Sequence, residues 1–76
     1  MTSLKLIDFS DVRGMRRATK RNQNSFWSSY GVSQSGGSRY ESGREIPASV
    51  KILIVLHATG KISDDDLANA RKAIGE

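Results

Sequence analysis

The tripeptide Gly31-Val32-Ser33 constrains this chain most, because a residue suited to ending a helix stands two positions before one suited to starting the next. Glycine enters the left-handed conformation that closes a helix, and a serine hydroxyl accepts hydrogen bonds from the free N–H groups of a first turn. Two short helices are thus expected to meet across three residues. One is aromatic, over about Gln23 to Tyr30; the other is serine-rich, over Gln34 to Ser42, and stops at Gly43.

The same punctuation divides the rest. Asp8 or Ser10 caps a first helix running to about Lys20, with Phe9, Val12, Met15 and Thr19 near one face. Residues 1–7, with Leu4 and Leu6 alternating, form an arm or a short strand. The run Val50 to Leu56 reads alone as a buried strand. Yet Pro47 suits a first helical turn and Gly60 a helix end, and the span between them is too long for a typical strand, so a helix buried on much of its circumference is expected. The last helix starts at the Ser63 cap, with Asp64, Asp65 and Asp66 in its positive first turn, Leu67, Ala70 and Ile74 in a stripe, and Arg71 and Lys72 near its negative end. The expectation is an all-α chain of five helices forming one domain over residues 1–76, with a helix-turn-helix at about residues 23–42.

With 76 residues and no cysteine, stability must come from packing, since no disulfide or cysteine-based zinc site can staple the core. The longest apolar run, Ile52 to Leu56, is far short of the roughly 20 residues of a membrane helix, and the N-terminus lacks a signal-peptide plan. A soluble cytoplasmic protein without membrane partners is expected. The net charge of +4 is uneven: residues 1–44 hold eight Lys/Arg against three acids, while residues 45–76 hold four against five. The basic half is the candidate surface for a polyanion.

A helix-turn-helix stands its second helix in the major groove while the first crosses the backbone. Residues 23–47 resemble the lambda-repressor-like (Cro/repressor, XRE-type) family of bacterial and phage regulators, matching at Gly31-Val32-Ser33, at Ser38-Arg39-Tyr40-Glu41-x-Gly43 and at Pro47. With the helices on either side the resemblance covers about Asp8 to Gly60. The Phe-Trp pair and the string from Gln34 to Glu41 look closest to very small prophage-type regulators such as anti-CRISPR-associated autorepressors. The resemblance implies a compact five-helix domain that binds operator DNA.

Two positions depart from that family's pattern. Trp27 stands where a small residue is usual, and Gly37 where a β-branched one is usual. Glycine inside a helix costs roughly 0.8–1.0 kcal/mol relative to alanine, so Gly36 and Gly37 weaken this helix unless something requires them. Volume exchange is the simplest account of Gly37, the Trp27 indole filling the space the missing side chain leaves, with approach of the glycine backbone to a phosphate as its rival. For Gly36 both accounts stay open. Tyr40 and Glu41 share the inward face with Gly37; a carboxylate there needs a partner, and the family pattern puts Arg16 opposite it. The outward face shows Gln34, Ser35, Ser38, Arg39 and Ser42. Glutamine reads adenine through N6 and N7, arginine reads guanine through O6 and N7, and serine reaches either base or phosphate. Gln34, Ser35, Ser38 and Arg39 are therefore the candidate base readers. Gln23 and Asn24 at a helix start, Arg44 after the reading helix, and Arg17 and Arg21 are the candidates for holding the DNA backbone, with Arg13 and Lys20 as added charge.

Other chemistries find little support. The single His57 lies in the apolar helix as a core-edge or surface residue, and no serine-hydrolase motif accompanies the many serines. Adjacent aspartates diverge by about 100° on a helix, so Asp64 to Asp66 cannot converge on one metal ion. Gly36-Gly37-Ser38 lacks the Gly-Lys-Ser/Thr ending of a phosphate loop. No enzyme activity, cofactor, metal or small-molecule ligand is expected, and regulation would follow the protein's own concentration. The first reading is a sequence-specific double-stranded DNA-binding regulator, a repressor. The alternative is a protein-interaction module of the same fold, such as the antitoxin of a toxin–antitoxin pair. A homodimer on two half-sites is expected, with Ile52, Val55, Leu4 and Leu6 either forming its interface or packing on the last helix.

Overall fold

The computed structural model describes residues 7–75 and folds them as α1 (Val12–Ala18), α2 (Gln23–Ser28), α3 (Gln34–Glu41), α4 (Ala48–Ala58) and α5 (Asp64–Ala73), with no strand among the described residues. Leu4, Leu6 and the expected arm lie outside them.

Four of the five helices begin where a short polar side chain satisfies the first turn; α4 follows Pro47 without a side-chain cap. The α1 cap is Asp11, in place of the expected Asp8 or Ser10: its carboxylate accepts from Gly14 N at 3.0 Å, while Asp8 accepts from Ser10 N one turn earlier. The later start places Phe9 ahead of the helix, where it still packs on the core, and puts Thr19 at the exposed C-cap. Asn22 and Ser33 cap α2 and α3 through their side-chain oxygens. α5 carries a full capping box, Ser63 Oγ accepting from Asp66 N and Asp66 Oδ2 accepting from Ser63 N.

The core is Val12, Phe26, Trp27, Tyr30, Ile46, Ile54 and Leu67, and α3 meets it with the partly buried Tyr40. α2 supplies its two largest fully buried side chains, Trp27 and Phe26, with Phe26 edge-on to both Trp27 and Tyr30 at centroid distances of 5.1 and 5.3 Å.

The ambiguous apolar run is helical. A strand would have turned Ile52 and Ile54 to one side; the helix sets them about 200° apart, and Ile54 is 1% exposed while Ile52 is 58% exposed. α4 is thus not buried around much of its circumference: Ile54 is its only fully buried residue, because no described element covers the Ile52 side. The expected α5 stripe is likewise reduced to Leu67. Ala70 is exposed, and Ile74, at the C-cap, is 71% exposed.

Candidate nucleic-acid interface

The position of α3 is set from its first turn. Gly31 takes φ +77° and its N–H donates to Ser28 O at 3.0 Å, while Val32 N donates to Trp27 O at 3.0 Å. Ser33 Oγ then accepts from Gly36 N at 3.1 Å. One turn on, Gly37 is buried against Trp27, and a Cβ built on it would collide with Cδ1 and Cγ of the indole. Trp27, with 0% exposure, occupies the space that a side chain at position 37 would need. At Gly36 a Cβ would meet Val32 Cγ1 at 3.1 Å and Ser33 Oγ at 3.3 Å, tight but without a collision.

A buried carboxylate fixes the other end. The Glu41 side chain is fully buried and accepts from Arg16 Nε at 2.8 Å, Arg16 Nη2 at 3.1 Å and Trp27 Nε1 at 2.7 Å. Arg13 Nε lies 3.4 Å from the same group, and the Gln23 side chain also donates to it. Burial raises the pKa of Glu41, but the hydrogen bonds from Arg16, Trp27 and Gln23 overcome it and hold the carboxyl at about 2. Arg16, whose guanidinium is raised in pKa chiefly by its hydrogen bond to Glu41, also donates through Nη1 to Arg21 O at 3.0 Å. The carboxylate therefore ties α1, the segment before α2, α2 and α3 into one unit. Tyr40, beside it, is half-buried with its ring 5.4 Å from that of Trp27.

With its inner face so engaged, α3 turns Gln34, Ser35, Ser38, Arg39 and Ser42 to solvent. Ser35 and Arg39 lie one turn apart, as do Gln34 and Ser38. Gln34 and Arg39 are separated by about 7.5 Å along the axis, a little over two base-pair steps. Only small side chains stand between them. Asn24, Arg17 and Arg44 are also exposed. Gln23 and Arg21 are half-buried and engaged within the protein, Gln23 on Glu41 and Arg21 Nη2 on Ser25 O at 3.1 Å.

The family model of the RsaL-like helix-turn-helix domain matches residues 13–57, from within α1 to near the end of α4. The chain belongs to the RsaL-like helix-turn-helix family. The solved structure of RsaL, a quorum-sensing repressor of Pseudomonas aeruginosa, is 39% identical, with a TM-score of 0.68 over 78% of this chain and 87% of that one. A comparison with curated protein sequences finds no significant match. The span matched by the RsaL-like family contains Arg16, Trp27, the turn, all of α3 and Glu41, while α5 lies beyond it.

One polar network had no signal in the sequence. Tyr30 Oη lies 2.8 Å from His57 Nδ1, and His57 Nε2 lies 2.6 Å from Asp64 Oδ1, linking the end of α2 to α4 and α5. Arg71 Nη1 adds a second tie by donating to Ser29 O at 2.7 Å. These partners are 27, 7 and 42 positions apart, and no periodicity connects such distances.

Proposed function

We propose that this protein is a sequence-specific double-stranded DNA-binding transcriptional repressor that reads operator bases with α3. The observation that carries the reading is the solvent face of α3, where Gln34, Ser35, Ser38 and Arg39 are all exposed and no acid intervenes. Identity of 39% with a repressor of the same family supports it. Gln34 and Arg39 supply paired hydrogen bonds to adenine and guanine edges, and the small serines allow the helix to seat close to the groove floor. Asn24, Arg17 and Arg44 hold the backbone from either side, with Gln23 and Arg21 placed behind them. The kinship with lambda-repressor-like regulators, including the small prophage-type ones, belongs to this proposal and is supported by the five-helix order. Nothing in the chemistry of the interface calls for catalysis or a cofactor, and a cytoplasmic site of action fits a DNA partner.

Two copies would bind two half-sites one helical turn apart. The exposed Ile52 side of α4, with Val55 and Leu56 beside it, is the face proposed to join them. A dimer buries such a patch with no change elsewhere in the fold.

Selection of bound duplexes from a random pool, followed by affinity measurements at one salt concentration, tests the reading. Arg39→Ala or Gln34→Ala is expected to lose about 1–3 kcal/mol at one base pair and to narrow the gap between operator and random DNA. Arg44→Ala should weaken both and keep the gap. If both α3 variants, well folded, retain the full operator-to-random ratio, α3 is not the reading element.

A further inference from the structure

We propose that the cavity between α1, α2, α4 and the start of α5 binds a small carboxylate with an apolar body. The cavity has a volume of about 400 Å³, with Met15, Phe26 and Ile54 on its apolar side and Arg21, Tyr30 and His57 on its polar side. That size lies at the small end of the roughly 300–1,000 Å³ of ligand sites, and an apolar body with few convergent polar groups is their usual composition.

Two features make this a formed site. Its floor is fixed, because Phe26 and Ile54 are 2% and 1% exposed and are held by the core on their far sides. Its polar wall is also fixed: Tyr30, His57 and Asp64 bond one another in series and need no further partner to hold their orientation.

The ligand's charge follows from Arg21. Its Nη2 donates to Ser25 O, which anchors the guanidinium and leaves other N–H groups of the planar fork for an incoming carboxylate. Arg21 and Tyr30 line the same cavity, so the guanidinium faces the space that the phenol borders. Asp64, the acid at the rim, already has His57 on Oδ1. The second large cleft, below the end of α3, sets Arg13, Arg44 and Lys51 among Asp11, Glu41 and Glu45, whereas here one cation faces one acid whose Oδ1 is taken up by His57. The cavity is bounded by four helices and leaves the reading face of α3 uncovered. The proposal departs from regulation by concentration alone, and it rests on the cavity without requiring the DNA reading.

The test is a titration of the intact chain with sodium benzoate, followed through the Met15 ε-methyl and the His57 ring signals in NMR spectra. Saturable shifts are expected with a Kd on the order of 1 mM, typical of so small a ligand. Toluene, which has the ring without the carboxylate, and acetate, which has the carboxylate without the ring, should each bind at least about tenfold more weakly. Arg21→Gln should weaken benzoate about tenfold, and Ala58→Phe, placed at the exposed end of α4 on the cavity wall, should abolish the shifts. Absence of saturable shifts up to about 10 mM, a concentration well above such a Kd, overturns the site. Shifts that survive both substitutions also overturn it. Toluene binding as tightly as benzoate overturns the ligand class. If Arg21→Gln fails to fold by its Trp27 fluorescence, the three-ligand comparison on the unaltered protein decides.

Discussion

Replacing Glu41 with glutamine tests the internal frame that presents α3. The substitution keeps the shape and leaves an oxygen to accept from Trp27 Nε1, but it removes the charge that Arg16 meets with two hydrogen bonds. Arg16 is then left with its side chain 13% exposed and no counter-charge at short range. Breaking one partner of such a buried pair costs about 3–5 kcal/mol. A chain of 76 residues has roughly 4–11 kcal/mol in all. The lowered pKa of Glu41 expresses the same interactions as a dependence on pH. Glu41 titrates at about 2 in place of its usual 4.5, so the unfolded chain takes up the proton first as pH falls. The stabilisation of about 3 kcal/mol is whole above pH 4.5 and is lost as pH drops toward 2. Urea melts followed by the fluorescence of Trp27, the single tryptophan, should show Glu41→Gln about 3 kcal/mol less stable at pH 7. They should also show the gap between the two proteins closing between pH 4.5 and 2. Adding Arg16→Met should recover part of the loss at pH 7, because it removes the stranded cation. A gap below about 1 kcal/mol at pH 7, the size of one ordinary surface contact, would refute the frame. So would a gap that does not change with acid.

Gly37→Ala should destabilise the unaltered protein, because its Cβ meets the Trp27 indole, and should stabilise a Trp27→Ala background by about 1 kcal/mol through helix propensity; additive effects in a double-mutant cycle would show that the two positions are not in contact. Ser33→Ala should cost about 1 kcal/mol in urea melts by leaving Gly36 N without its cap. Operator affinity should fall with salt at a slope of several units in log K against log salt, about 0.9 per phosphate neutralised, and a flat response would favour a protein partner instead. Ile52→Glu should lower the apparent mass in sedimentation at concentrations where the unaltered chain self-associates, and an unchanged mass would place the interface elsewhere.

What could be read from the chain before its structure follows the range of the physics involved. Helix stops and starts are local, so Gly31, Ser33, Ser63 and the length of the Pro47–Gly60 span were enough to give five helices and the tight turn. The same locality explains the error at α1: Asp8, Ser10 and Asp11 are all competent caps within four residues, and the helix starts at the third, directly before the buried Val12. The over-estimate of burial in α4 and α5 has the opposite origin. Apolar composition states what water disfavours, whereas coverage depends on which neighbours exist, and Ile52 and Ile74 stay 58% and 71% exposed among the described residues. The outward face of α3 was legible because helical spacing alone determines it. The Tyr30–His57–Asp64 series and the cavity beside it were not, since they arise where the ends of separate helices meet.

The exchange of volumes at positions 27 and 37 and the burial of Glu41 are one arrangement, because the indole serves both. Its ring fills the space left at Gly37, and its Nε1 supplies the hydrogen bond that Glu41 would otherwise lack on that side. Phenylalanine at position 27 could do the first and not the second, and a β-branched residue at position 37 would displace the ring from both. The helical cost of Gly37, about 1 kcal/mol, is therefore offset by a buried contact of the order of several kcal/mol. Of the two adjacent glycines only Gly37 is explained in this way. A Cβ at Gly36 would press on the ends of the Val32 and Ser33 side chains, which need give only a few tenths of an ångström, so Gly36→Ala should cost far less stability than Gly37→Ala. If that variant folds normally yet binds operator more weakly, the second glycine is retained for close approach of the α3 backbone to DNA.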